Sequence, residues 1–137
     1  MVSNRRQPVL PPSRRGAPTR AYSPAVVFGD LIFSSGLTAA DPSSGQVPAG
    51  IAAQTQRCFA KLDDILQAAD SSLDQVLRVT VYLTDIQAQH SPMTAVFREV
   101  FPSAPPARTT VQVAALSSPD KLIEIDAIAA RTARELE

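Results

Sequence analysis

The chain has one cysteine and one histidine among its 137 residues, and each shortage closes a route. A lone Cys58 cannot make an internal disulfide, so no disulfide framework holds the fold. With only His90 and Cys58 there is no His/Cys cluster for zinc, and neither a Walker loop nor a G-x-G-x-x-G turn is present to cradle phosphates. A Ser-His-acid triad would have to use His90, which stands in a polar stretch where a solvated imidazole is the expected state. No window approaches the run of about 18 apolar residues that crosses a membrane, and no apolar signal core opens the chain. A reducing cytoplasm is therefore the expected compartment.

What is present suits one domain. Apolar residues make up 45% of the chain, and at this length a monomer buries roughly two thirds of its unfolded surface, enough for one core. Thirteen Lys plus Arg balance thirteen Asp plus Glu, but unevenly. Arg5, Arg6, Arg14, Arg15 and Arg20 crowd the first twenty residues, which hold no acid, so the rest is net negative. This basic stretch carries Pro8, Pro11, Pro12 and Pro18, cannot form a helix and is expected to be disordered through about Thr19. It reads as a solvated extension or, alternatively, an arm for nucleic acid or acidic lipid. The resulting division is a tail over 1–19, one domain over 20–131 and a polar C-terminal tail over 132–137.

Residues 25–28 and 31–35 around Gly29-Asp30 read as a hairpin, and 38–50 as a turn-rich loop. Ile51, Thr55, Cys58, Phe59, Leu62, Ile65, Leu66 and Ala69 form a 3.6-residue stripe that predicts a long amphipathic helix ending near Asp70. On its apolar face Cys58 is expected to serve as a small buried hydrophobe rather than a nucleophile. Residues 76–84 alternate as a strand, with Leu77, Val79, Val81 and Leu83 on one face. Ser91-Pro92 offers a cap and first turn for a second helix carrying Met93, Val96, Phe97 and Val100. Two last strands, 108–115 and 121–130, flank a short loop that suits antiparallel neighbours. This order predicts an α+β fold whose two helices cover one face of a mixed sheet. The other face, expected to hold Tyr82, Thr110, Glu124, Asp126 and Ile128, is too apolar for solvent and predicts oligomerisation.

Two charges stand where charges need partners: Arg108 opens a strand after a proline-rich loop, and Glu124 interrupts Leu122-Ile123-Glu124-Ile125-Asp126-Ala127-Ile128. They could form a structural ion pair. They could instead divide a reaction, the guanidinium fork binding a substrate carboxylate while Glu124 orients a water, with Asp126 as a spare acid.

The segments Tyr22-Ser23-Pro24-Ala25-Val26, Gly29-Asp30-Leu31-Ile32-Phe33-Ser34-Ser35-Gly36, Ala53-Gln54-Thr55, Val79-Thr80-Val81-Tyr82-Leu83-Thr84-Asp85, Pro106-Ala107-Arg108-Thr109-Thr110-Val111 and Ile123-Glu124-Ile125-Asp126-Ala127-Ile128-Ala129 resemble the Rid (YjgF/RidA, L-PSP) family over roughly residues 20 to 131. The resemblance implies a chorismate-mutase-like α+β fold, a homotrimer with sheets facing inward, and three clefts between subunits. It also implies hydrolysis of reactive 2-enamines and 2-imines, such as 2-aminoacrylate, to 2-keto acids and ammonia without a cofactor or metal.

Carried over by position, Arg108 corresponds to the carboxylate-binding arginine, Glu124 to the acid near the attacking water, and Tyr22, Gly36 and Thr110 to residues that line the cleft. Tyr22 could equally pack at the subunit seam, and Gly36 could serve a turn or a close backbone approach. Arg20-Ala21, Leu37 and Thr94 replace the Gly-Pro, Gln and Asn that the family commonly carries there. A trimer that binds a small carboxylate or a protein partner without turnover is the alternative. An endoribonuclease is disfavoured because the folded part is net acidic.

Overall fold

The computed structural model describes residues 5–18 and 20–131, in the order β1 (Gln7–Val9), β2 (Ala25–Phe28), β3 (Leu31–Ser34), β4 (Leu37–Thr38), α1 (Ile51–Ala68), β5 (Val76–Leu83), α2 (Ile86–Val100), β6 (Ala107–Gln112) and β7 (Ile123–Ala130). The strands form one mixed sheet in the order β1-β2-β3-β7-β5-β6, with β4 beside β7 further along its length. Gly29 sits at φ 61 in the two-residue β2–β3 turn, a position where the left-handed backbone favours glycine. β7 alternates strictly between buried and half-buried residues, so Ile123, Ile125, Ala127 and Ala129 face the helices. Against them α1 presents Cys58, Phe59, Leu62, Ile65 and Leu66, and α2 presents Met93, Val96 and Phe97. Phe59, Phe97 and Phe101 pack edge-on or tilted at 4.9–5.6 Å between ring centres, and each buried ring contributes roughly 1.5–3 kcal/mol.

Four expectations are corrected. Residues 7–9, expected to be disordered, pair antiparallel with β2, because Val9 and Pro11 supply buried apolar groups and Pro8 is tolerated on an edge strand. A short 3-10 turn, Pro12–Arg14, follows, and Ser13 Oγ donates to Asp64 on α1. Helix α2 begins at Ile86 with Asp85 as its cap, accepting from the Ala88 N–H at 3.3 Å, so Pro92 lies inside the helix rather than at its start. A register shift between Val76 and Arg78 turns Leu77 outward, where it is 49% exposed, while Val76 takes its place in the core. Finally, β6 pairs in parallel with β5 rather than with β7, because α2 carries the chain back to the starting end of the sheet. Residues 132–137, expected as a polar tail, lie outside the described residues.

Candidate functional site

The ladder along β7 is interrupted where β3 ends at Ser34 and β4 begins at Leu37. The gap is held open by local bonds: Ser34 Oγ accepts the Ala127 N–H at 2.9 Å, and Ser35 donates its N–H to Pro24 O at 2.9 Å and its hydroxyl to Ser23 O at 2.6 Å. Gly36 lies in this gap directly against the Glu124 carboxyl. A Cβ there would stand 2.9 Å from Glu124 Cδ, so glycine lets the carboxyl approach the backbone this closely. Tyr22, Gly36 and Glu124 line one cavity of about 150 Å³. Tyr22 is 53% exposed, and its hydroxyl accepts from Arg20 Nη1 at 3.1 Å.

Arg108 stands elsewhere. It registers with Val79, whose side chain is fully buried on the helix face, whereas Glu124 registers with Tyr82 on the opposite face. Within one chain the sheet separates them, and no ion pair joins them. The Arg108 guanidinium lies 4.8 Å from the Phe97 ring centre, and Nη1 reaches Met93 Sδ at 3.7 Å. Ring face and thioether fix its direction without neutralising its charge. Burial, with a smaller contribution from Arg98, holds its pKa below the ordinary range. Thr110 registers with buried Val81 and so shares the helix face with Arg108. This corrects its expected position beside Tyr82 and Glu124: the residues of β6 that share that open face are Thr109 and Val111. Close by in sequence to Met93, Thr94 keeps a buried Oγ1 without a hydrogen-bond partner.

Asp126 is engaged, accepting the Tyr82 hydroxyl at 2.9 Å, and this bond, then burial, raises the Tyr82 pKa. Leu37 points inward opposite Ile125, so that departure from the family pattern is a core residue. Burial pushes the Cys58 thiol up to about 12, which removes it as a nucleophile near neutrality, and His90 is exposed on α2. Among the described residues no three His, Cys, Asp or Glu side chains stand together as metal ligands. No described helix is long and apolar enough to cross a membrane. The sequence reading missed the cavity's basic wall, formed by Arg14, Arg20, Lys61 and Lys121. Arg14 and Arg20 belong to the basic stretch already noted in the sequence; Lys61 and Lys121 join them only through the fold.

The family described as Endoribonuclease L-PSP matches residues 13–131. A RutC family protein of Pyrococcus abyssi is 40% identical over 113 residues, 82% of this chain and 87% of that protein. A rat protein named 2-iminobutanoate/2-iminopropanoate deaminase is 38% identical over 122 residues, 88% of each chain. Among solved structures, the yeast protein YEO7 superposes with a TM-score of 0.84 at 33% identity, covering 93% of this chain and all of that one. With its ordered motifs, its mixed sheet under two helices and these matches over most of its length, the chain belongs to the Rid family of L-PSP-type proteins.

Proposed function

We propose that the protein is a metal-free hydrolase in the reducing cytoplasm that converts reactive 2-enamine and 2-imine acids, 2-aminoacrylate among them, to 2-keto acids and ammonia. The observation that carries this reading is Arg108: a partly buried guanidinium oriented by Phe97 and Met93, with no carboxylate partner among the described residues. Such a group is ready for a substrate carboxylate, which its two parallel donors bind in bidentate fashion. Relatives named as imine deaminases support the same class of chemistry.

Arg108 and Glu124 occupy opposite faces, so a site using both takes them from different subunits. The proposed assembly is a homotrimer whose open sheet faces meet, supported by the exposure of Phe28, Leu31, Phe33 and Val111 on the face that helices leave bare. Because β6 is an edge strand, it can bring Arg108 and Thr110 of one copy against Tyr22, Gly36 and Glu124 of the next in each inter-subunit cleft. The imine carbon is already electrophilic, so placement of one water is the main task. Water adds to the C=N carbon and gives a proton to Glu124, and the nitrogen takes up a proton. The carbinolamine then expels ammonia as its hydroxyl becomes the ketone. The Glu124 proton is returned to the departing nitrogen, and the proton that the hydroxyl releases to solvent as the ketone forms matches the one the nitrogen first took from solvent, which closes the proton balance. A 2-enamine enters the same route after protonation at its β-carbon.

An amino-acid oxidase generating 2-imino acids in the presence of semicarbazide tests this directly. Wild type is expected to speed imine loss, and Arg108→Ala to lower the rate about 100-fold, roughly 3 kcal/mol, while keeping the trimer's mass. A verified trimer that accelerates no imine would make the protein a non-catalytic binding module. A trimer that dissociates on Arg108→Ala would give the arginine a structural role.

A further inference from the structure

The cavity beside Glu124 has a basic wall that imine hydrolysis does not use. Arg14 and Arg20 from the N-terminal segment, Lys61 of α1 and Lys121 ahead of β7 line it, against only Asp64 and Glu124. Asp64 is occupied by the Ser13 hydroxyl. The lysines are occupied as well: Lys61 Nζ donates to Thr38 O at 2.7 Å and Ala40 O at 2.8 Å, and Lys121 Nζ to Ser117 Oγ at 2.8 Å.

The arginines have donors to spare. Arg14 Nε is buried with no hydrogen-bond partner, and Arg20 gives one N–H to the Tyr22 hydroxyl. Neither belongs to an ion pair among the described residues. The crowding is felt electrostatically, since the Lys61 pKa is lowered first by burial and further by Arg20, Arg14 and Lys121. Four cations facing two carboxylates, one cation with an orphaned buried donor, are relieved by an anion, and a guanidinium fork matches a carboxylate in shape.

We propose that Arg14 and Arg20 form a second anion subsite, which takes the distal carboxylate of a dicarboxylic 2-imino acid and makes acidic-side-chain imines the preferred substrates. The proposal rests on the imine-deaminase reading, in which Arg108 of the adjacent subunit holds the α-carboxylate. One continuous cavity joins Gly36 and Glu124 to Arg14 and Arg20, so a single ligand can lie along both.

The test is calorimetric titration of the full-length protein with two stable keto-acid products, 2-oxoglutarate and 2-oxobutanoate. Wild type is expected to bind 2-oxoglutarate at least about tenfold more tightly, and Arg14→Gln/Arg20→Gln to bring the ratio within about twofold. Equal wild-type affinities, or a preference that survives the double variant, overturn the subsite. If the double variant misfolds by circular dichroism, Arg20→Gln alone, altering an exposed side chain, must still reduce the preference at least about threefold, and a preference left unchanged overturns the proposal. Imine turnover is read separately. A protein that keeps the 2-oxoglutarate preference but accelerates no imine loses the deaminase reading and retains the subsite.

Discussion

Gly36 separates two effects that usually move together. An added Cβ would meet the end of the flexible Glu124 side chain rather than backbone, so the carboxylate can swing away cheaply. Gly36→Ala is expected to cost only about 1 kcal/mol of stability while lowering imine turnover at least about tenfold, because the displaced carboxylate is the proposed base. Thermal melting and the semicarbazide assay read the two quantities independently. Tyr82 offers a spectroscopic handle, since the chain has only two tyrosines. Its phenolic proton is held by Asp126, so in a Tyr22→Phe background its ultraviolet titration should fall above the ordinary ~10, and Asp126→Asn should bring it down. The raised pKa contributes stability that is complete below about pH 10 and is lost as pH climbs through the Tyr82 value. Arg108 and Glu124 were legible in the sequence as charges in apolar company, and Glu124 on the open face as well, but the face that Arg108 occupies was not. Thr110 shows why: a strand pattern alternates unambiguously, yet only the β5–β6 register determines which set faces the helices.

At the scale of elements, the two long helices and central strands are joined by a few polar staples. Gln54, buried in α1, donates to Pro48 O at 3.0 Å and Asp120 O at 2.9 Å and accepts the Leu122 N–H at 2.9 Å. It therefore ties the loop before α1 to the loop before β7, which carries the chain into Glu124. Gln54→Ala leaves three backbone groups unpaired, and the expected cost is about 2–4 kcal/mol by denaturant unfolding. The stripe of α1 and the alternation of β7 could be read from sequence because each obeys one period throughout. The start of α2 could not, since Ser91-Pro92 imitates a helix opening while the cap that operates is Asp85. Leu77 was misplaced for a related reason: a bulge shifts a face without leaving a mark in the hydrophobic pattern.

On the molecular scale, catalysis and assembly are predicted to fail together, because the proposed cleft draws its arginine and its acid from different copies. Phe33 is 42% exposed on the bare sheet face opposite Ile128. Phe33→Glu places a charge in the proposed interface, where burial without a partner is prohibitive. The expected outcome is a folded monomer by light scattering with imine turnover near background. A monomer with full activity would instead place the whole site within one chain. The mixed, half-apolar face was legible before the structure, whereas the cationic rim was not, because the N-terminal arginines meet Lys61 and Lys121 from segments far apart in sequence.

The short strand at the start of the chain has a consequence for solubility. By pairing residues 7–9 with β2, the protein spends three residues of its own N-terminus to occupy a hydrogen-bonding edge that would otherwise be open to foreign strands. Pro8 within that strand removes one donor from the new outer edge, and Arg5 and Arg6 lead into it with positive charge. The leading segment thus acts as a built-in stopper against strand-by-strand growth. A chain shortened past Val9 would lose that one core side chain and leave β2 uncapped, and is expected to aggregate faster by light scattering than the chain that keeps residues 7–9.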